Sequence, residues 1–112
     1  MKKTRILGAV VFGAITAVGV MLFAADQHPS ALFLEYCAKC HGQDGTGNTP
    51  KGKQLMARDF TDEEWQASKK DEQLIKQVTA GSEDMPAFGK KLTKEQIESL
   101  IKNDVRGFNK KR

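Results

Sequence analysis

Cysteine and histidine are scarce in this chain of 112 residues, with two of each. A structural zinc site needs four ligands, usually from two Cys/His pairs, and His28 is the only candidate outside residues 37–41. Aromatic residues are also few, at 7% of the chain. Residues 26–112 are therefore one small domain with little material for a self-sufficient hydrophobic core.

Two further features are missing from the sequence. No segment shows a convincing strand pattern, and no internal repeat is present. A large net charge is absent once the N-terminus is set aside. The chain carries +4 overall, and without Lys2, Lys3 and Arg5 it has 15 basic against 14 acidic residues. A strongly basic nucleic-acid-binding protein is therefore not expected.

The N-terminus has the pattern of an export segment. A basic stretch at residues 2–5 precedes an uncharged run over residues 6–25. Such a run is either a cleaved signal peptide or an N-terminal membrane anchor. Small residues at its end favour cleavage, although neither cleavage point gives A-x-A. We therefore divide the chain into a signal or anchor, residues 1–25, and an exported domain, residues 26–112.

One short stretch, Cys37-Ala38-Lys39-Cys40-His41, groups the reactive side chains. A C-x-x-C-H run is the attachment signature of a c-type haem. On a helix with 3.6 residues per turn, both thiols and the imidazole emerge close enough to serve one porphyrin and its iron. A thioredoxin-like dithiol and a structural disulfide are the alternatives, although no βαβ pattern surrounds the motif.

Periodicity and capping residues predict helices and no strands. The predicted spans are 29–41, 62–67 (with Thr61 as its cap), 71–81 and 93–107. Residues 42–53 are predicted to be a glycine-rich loop whose backbone passes close to the haem edge. They match a phosphate-binding loop up to Gln54, which stands where Ser or Thr is required, so a nucleotide site is not expected.

A second iron ligand is expected from the methionines. Met85 lies in an irregular loop beside Pro86, which cannot continue a helix, and such a loop can hold a thioether over a ring. Met56 lies in a stretch that looks like ordinary packing. We therefore predict Met85 as the ligand and Met56 as core filler.

These residues together resemble the class I c-type cytochromes, the small soluble monohaem electron carriers. The resemblance covers about 31–108 and rests on Phe33, Cys37–Gly42, Met85–Gly89, Leu92-Thr93 and Val105-Arg106. It implies an all-α cytochrome c fold, with three main helices and a short one around one covalently bound haem c.

The resemblance also implies the site. Cys37 and Cys40 would form thioether bonds, His41 would be the proximal ligand, and the carbonyl of Pro50 would accept its Nδ1–H. The full set of expected haem contacts is Cys37, Cys40, His41, Met85, Pro50 and Leu55.

One departure from the family pattern concerns the last helix. Asp104 stands where the family usually carries an aromatic residue, two positions before Arg106. Phe108, one turn later, is the candidate to replace the aromatic contact between the first and last helices.

The function implied is one-electron transfer between redox proteins in the periplasm by a monomer that is not an enzyme. Nothing resembles a set of catalytic acid, base and nucleophile. An electron-entry subunit of a larger oxidase or dehydrogenase is the alternative if residues 6–25 are kept as an anchor. A haem peroxidase or gas sensor would require Met85 to leave the iron easily.

Overall fold

The protein is described here by a computed structural model that covers residues 28–109, together with Gly8 and Gly13. The secondary structure of residues 28–109 consists of helices joined by loops, with no strand, which confirms the all-α prediction. Apart from those two glycines, the export segment lies outside the described residues, so its division at residue 25 stays a prediction. No helix within the described part is long and apolar enough to cross a bilayer.

The helices of residues 28–109 are short and follow one another closely. The six α-helices are α1 (Ala31–Tyr36), α2 (Ala38–His41), α3 (Pro50–Leu55), α4 (Glu63–Ser68), α5 (Asp71–Ala80) and α6 (Lys94–Ser99). A π-helical turn, Leu100–Val105, continues α6 and leads into a 3₁₀ turn, Arg106–Phe108. The predicted first helix is divided at Cys37, where φ is −118°.

Capping interactions place the starts of two helices one or two residues later than the sequence predicts. The first helix begins after Ser30 and not at Pro29, because the Ser30 hydroxyl accepts the backbone N–H of Phe33 at 3.2 Å. The cap of α4 is Asp62 and not Thr61, since its carboxylate accepts two N–H groups of the first turn. Both caps satisfy amide groups that a helix N-terminus leaves unpaired.

Helix α3 begins inside residues 42–53, the stretch that the sequence predicts as a loop. Thr49 caps it, accepting the N–H of Gly52 at 2.8 Å and donating to the carbonyl of Cys40 at 2.7 Å. Pro50 takes the first helical position, which its fixed φ suits. A Cβ on Gly52 would overlap the Cys40 carbonyl. This glycine therefore makes room for the chain's own backbone.

The core forms where α1 meets the C-terminal turns. Phe33 is fully buried, and Ile101 is nearly so. The rings of Phe33 and Phe108 lie 5.2 Å apart between centroids, so Phe108 supplies the aromatic contact that Asp104 cannot make. The remaining core residues are Phe60, Leu74, Val78, Phe88, Leu92, Ile97, Leu100 and Val105.

Arg106 ties the C-terminal end of the chain to α4 and α5. Its guanidinium donates to the Asp71 carboxylate and to the Gln66 side-chain oxygen, each at 2.8 Å. The buried Gln66 amide in turn donates to the carbonyls of Phe60 and Val105. Because these buried polar groups are paired, the network adds stability where a lone buried amide would cost it.

Candidate haem site

Cys37 and Cys40 are free, half-buried thiols at the junction of α1 and α2. Burial is the main cause that raises the pKa of Cys37 to about 12, followed by the carboxylate of Asp104 and by Cys40. A thiol of that pKa is protonated at neutral pH, whereas redox and metal-binding cysteines need thiolate character. Within the described residues, no three His, Cys, Asp or Glu side chains are grouped to hold a metal ion. The raised pKa of Cys37 therefore argues against the dithiol interpretation.

The imidazole of His41 is held in one tautomer. Its Nδ1 lies 3.1 Å from the backbone carbonyl of Arg58. A carbonyl can only accept a hydrogen bond, so Nδ1 carries the proton and Nε2 keeps its lone pair. Burial lowers the pKa of His41, and the Arg58 carbonyl offsets this only in part. The ring stacks on Phe60 with centroids 4.2 Å apart, so its plane is fixed as well.

The carbonyl that orients His41 is not that of Pro50, and this corrects the prediction. Pro50 begins α3 and is exposed, whereas Arg58 follows the helix in the segment that returns to the motif. That segment is anchored where Phe60 N–H donates to the carbonyl of Gly45 at 2.7 Å. Because the partner is a backbone carbonyl, no side-chain signal in the sequence could have pointed to Arg58.

Leu55 and Met56, at the end of α3, differ in solvent exposure. Leu55, the last residue of α3, is half-buried. Met56 is 86% exposed and adopts a left-handed conformation that ends α3. The prediction that Met56 fills the core is therefore wrong, since its place at the helix end turns it away from the core.

The Met85 loop is pinned to the end of α5 by backbone hydrogen bonds. Phe88 and Gly89 donate to the carbonyls of Val78 and Thr79 at 2.9 and 3.1 Å. Ser82 N–H donates to the Met85 carbonyl at 2.9 Å. Met85 itself is half-buried and packs against the core, so its thioether is held on apolar surface.

Gly81 makes this loop possible. Its backbone angles, φ 68° and ψ −170°, belong to a region that is essentially restricted to glycine. A Cβ there would also lie 2.7 Å from both the Met85 carbonyl oxygen and the Ala87 nitrogen. The sequence marked Gly81 only as a helix stop, and its close approach to the Met85 backbone was missed.

The residues present fit a covalently held haem. Cys37 and Met85 pack against one hydrophobic cluster, while α2 places Cys40 and His41 beside it. Two free thiols, one neutral imidazole with an available Nε2 and one thioether are the groups that c-type haem attachment and ligation use. This helical fold and donor set define a c-type cytochrome.

Comparisons with known proteins give the family. Residues 24–102 match the family model described as cytochrome c oxidase, cbb3-type, subunit III, and the chain belongs to this family of c-type cytochromes. Among solved structures it is similar to the KustC0563 c-type cytochrome, with 45% identity and a TM-score of 0.66 over 70% of this chain and 94% of that one. A tyrosine-to-phenylalanine mutant of KustC0563 matches with 46% identity, a TM-score of 0.63 and the same coverage. No curated protein matches the chain.

Membership of the c-type cytochromes establishes the general activity of the protein and its cofactor. The protein is an electron-transfer haem protein, and its cofactor is covalently bound haem c. It exchanges electrons with redox partners.

Proposed function

We propose that this chain is an exported one-electron carrier. In this proposal Cys37 and Cys40 would hold the haem through thioether bonds, and His41 and Met85 would bind its iron. The observation that supports it best is the hydrogen bond from His41 Nδ1 to the Arg58 carbonyl. Metal-ligating histidines commonly donate their second ring N–H in this way, because the bond fixes the ring and raises its basicity.

When bound, haem c supplies an iron that cycles between the ferric and ferrous states. The chain's own residues set the conditions for that cycle. The Met85 thioether favours the ferrous form and raises the reduction potential, as does burial among apolar side chains. The backbone bonds that pin the Met85 loop to α5 keep this ligand in place in both oxidation states, so little rearrangement accompanies electron transfer.

The partner is proposed to be an acidic redox protein that meets exposed lysines around the haem-binding segments. Lys39 lies inside the motif, two lysines lie on α3, and two follow the Met85 loop. All of them are exposed, and the Lys91 ammonium lies 5.9 Å from the Phe88 ring centroid. Such a surface would steer an acidic partner into a small, short-lived interface. The five lysines are Lys39, Lys51, Lys53, Lys90 and Lys91.

An electron-entry subunit of a larger oxidase is the second candidate, because the matching family model is described as a subunit of a cbb3-type oxidase. The two candidates differ in location. A free periplasmic carrier should begin near Asp26 after signal cleavage, whereas an anchored subunit should keep residues 6–25 and co-purify with membranes. Mass spectrometry of the N-terminus in both fractions distinguishes them.

The attachment proposal is tested by expressing the full chain with the haem-attachment machinery and staining denatured protein for haem. The unmodified protein should carry the mass of one haem, and the double variant Cys37→Ser/Cys40→Ser should carry none. Lys39→Gln, between the cysteines, is the matched control and should retain haem. Covalent haem in the double variant would overturn the proposed attachment.

A further inference from the structure

Among the buried side chains of residues 28–109, Asp104 is the only charged one. Only 2% of its surface is exposed. It lies in the π-helical turn where α1 packs against the C-terminal end of the chain. We propose that the Asp104 carboxylate holds the reduction potential of this protein below the value that a neutral residue would give. The inference rests on the proposed thioether bond at Cys37.

The carboxylate is paired with neutral donors alone. One oxygen accepts the backbone N–H of Ser30 at 2.7 Å, and the other accepts its hydroxyl at 2.8 Å. Each carboxylate oxygen therefore accepts one hydrogen bond from Ser30. The ring of His28 bonds to the Asp104 backbone carbonyl and not to the carboxylate. Within the described residues, no Lys or Arg forms an ion pair with Asp104; the nearest Arg in sequence, Arg106, pairs with Asp71.

Asp104 and Cys37 lie against one hydrophobic cluster: Val105, next to Asp104, belongs to it, and Cys37 packs against it. Ser30, its partner, caps α1, and α1 ends at Cys37. The Asp104 charge helps to raise the pKa of the Cys37 thiol, second only to burial. A charge that is felt at this sulfur is felt at the macrocycle to which the sulfur would be bonded. The buried position keeps water from screening the interaction as it would at the surface.

The direction of the effect follows from charge alone. Reduction brings one electron from a donor and removes one positive charge from the iron, with no bond formed or broken. A fixed anion nearby stabilises the more positive, oxidised state. Removing that anion should therefore shift the equilibrium towards the ferrous state.

Spectroelectrochemical titration of the haem-loaded full chain tests this. Asp104→Asn should increase the ferrous-to-ferric ratio, at the unmodified protein's midpoint, by about threefold or more, which corresponds to about 30 mV for a one-electron couple. Glu35→Gln removes an exposed charge from α1, two residues before Cys37, and should shift the ratio much less. An unchanged or lowered potential in Asp104→Asn would overturn the inference.

Ser30→Ala separates charge from structure. It removes the hydroxyl that donates to Asp104 and caps α1, which costs about 0.5–2 kcal/mol of stability, but it keeps the Asp104 carboxylate and its bond from the Ser30 backbone N–H. Its melting temperature should fall while its potential does not rise. A rise equal to that of Asp104→Asn would assign the effect to loosening of the fold and refute the inference.

A second variant covers the case in which Asp104→Asn does not fold. Ser30→Ala/Asp104→Leu removes the Ser30 hydroxyl together with the carboxylate, so neither of these two side-chain groups is left without its partner, and it should raise the potential in the same direction. Haem staining comes first. Absence of covalent haem in the unmodified protein would refute the proposed function, whereas normal haem with an unchanged potential in the double variant would refute only the role of Asp104.

Discussion

Replacing Gly81 by alanine probes how the Met85 loop is held without changing Met85, the proposed iron ligand. Gly81 combines φ 68° with ψ −170°, and a non-glycine residue in this region costs about 1–3 kcal/mol. Its new Cβ would also meet the Met85 carbonyl oxygen at 2.7 Å. We expect the loop to relieve this strain by opening, so that Met85 leaves the iron more often.

The size of the effect follows from the strain energy. At about 1.4 kcal/mol per factor of ten, a cost of 1–3 kcal/mol increases the open population about 5- to 150-fold. An external ligand such as imidazole binds only the open form. As long as the open form is a minor population, the ligand's apparent dissociation constant falls by the same factor by which that population rises. Imidazole titration of the ferric protein, followed by absorbance, should show this tighter binding in Gly81→Ala.

Gly47→Ala is the matched control. Gly47 also has a positive φ, 75°, and its Cβ would also lie 2.7 Å from a backbone carbonyl oxygen, that of Ala57. This variant strains the Ala57–Arg58 backbone on the His41 side of the site and not the Met85 loop, so it should lower the melting temperature without increasing the apparent imidazole affinity. Unchanged imidazole binding in Gly81→Ala, despite a lower melting temperature, would refute the idea that Gly81 braces the ligand loop.

Three further predictions follow from the site, the core and the surface. Met85→Ala should keep covalent haem but give a high-spin ferric spectrum, carbon monoxide binding in the ferrous state and a lower potential; an unchanged spectrum would assign the ligand elsewhere. Phe33→Ala should cost about 3–5 kcal/mol in urea denaturation, since the side chain is fully buried, while Leu34→Ala at an exposed position should cost far less; equal costs would contradict the core assignment. The rate of electron transfer to an acidic partner should fall as the salt concentration rises from about 0.01 to 0.15 M, because the screening length shrinks from about 30 to 8 Å. A rate that does not depend on salt would argue against electrostatic steering by the lysines. The salt dependence of the rate should become weaker, without a change in the spectrum, when four lysines are replaced by Gln: Lys51, Lys53, Lys90 and Lys91.

The sequence by itself was informative wherever the chemistry is local. Cys37 to His41 lie within two turns of chain, so their spacing alone predicted the haem, and Met85 beside Pro86 marked an irregular loop. The Thr93 and Gln96 capping box predicted the start of α6, because both partners lie in one turn. Phe108 was predicted as the replacement aromatic from its position one turn after Asp104.

Only the tertiary structure decided the contacts between distant segments. The carbonyl that orients His41 comes from Arg58, 17 positions along the chain, and every residue has a carbonyl, so no sequence pattern singles it out. Asp104 and Ser30 meet across 74 positions, and before that contact is known a lone Asp in a predicted helix is most simply an exposed charge. The same applies to Gly52, whose missing side chain matters only because the Cys40 carbonyl lies against it. Long-range packing, and not local preference, set these positions.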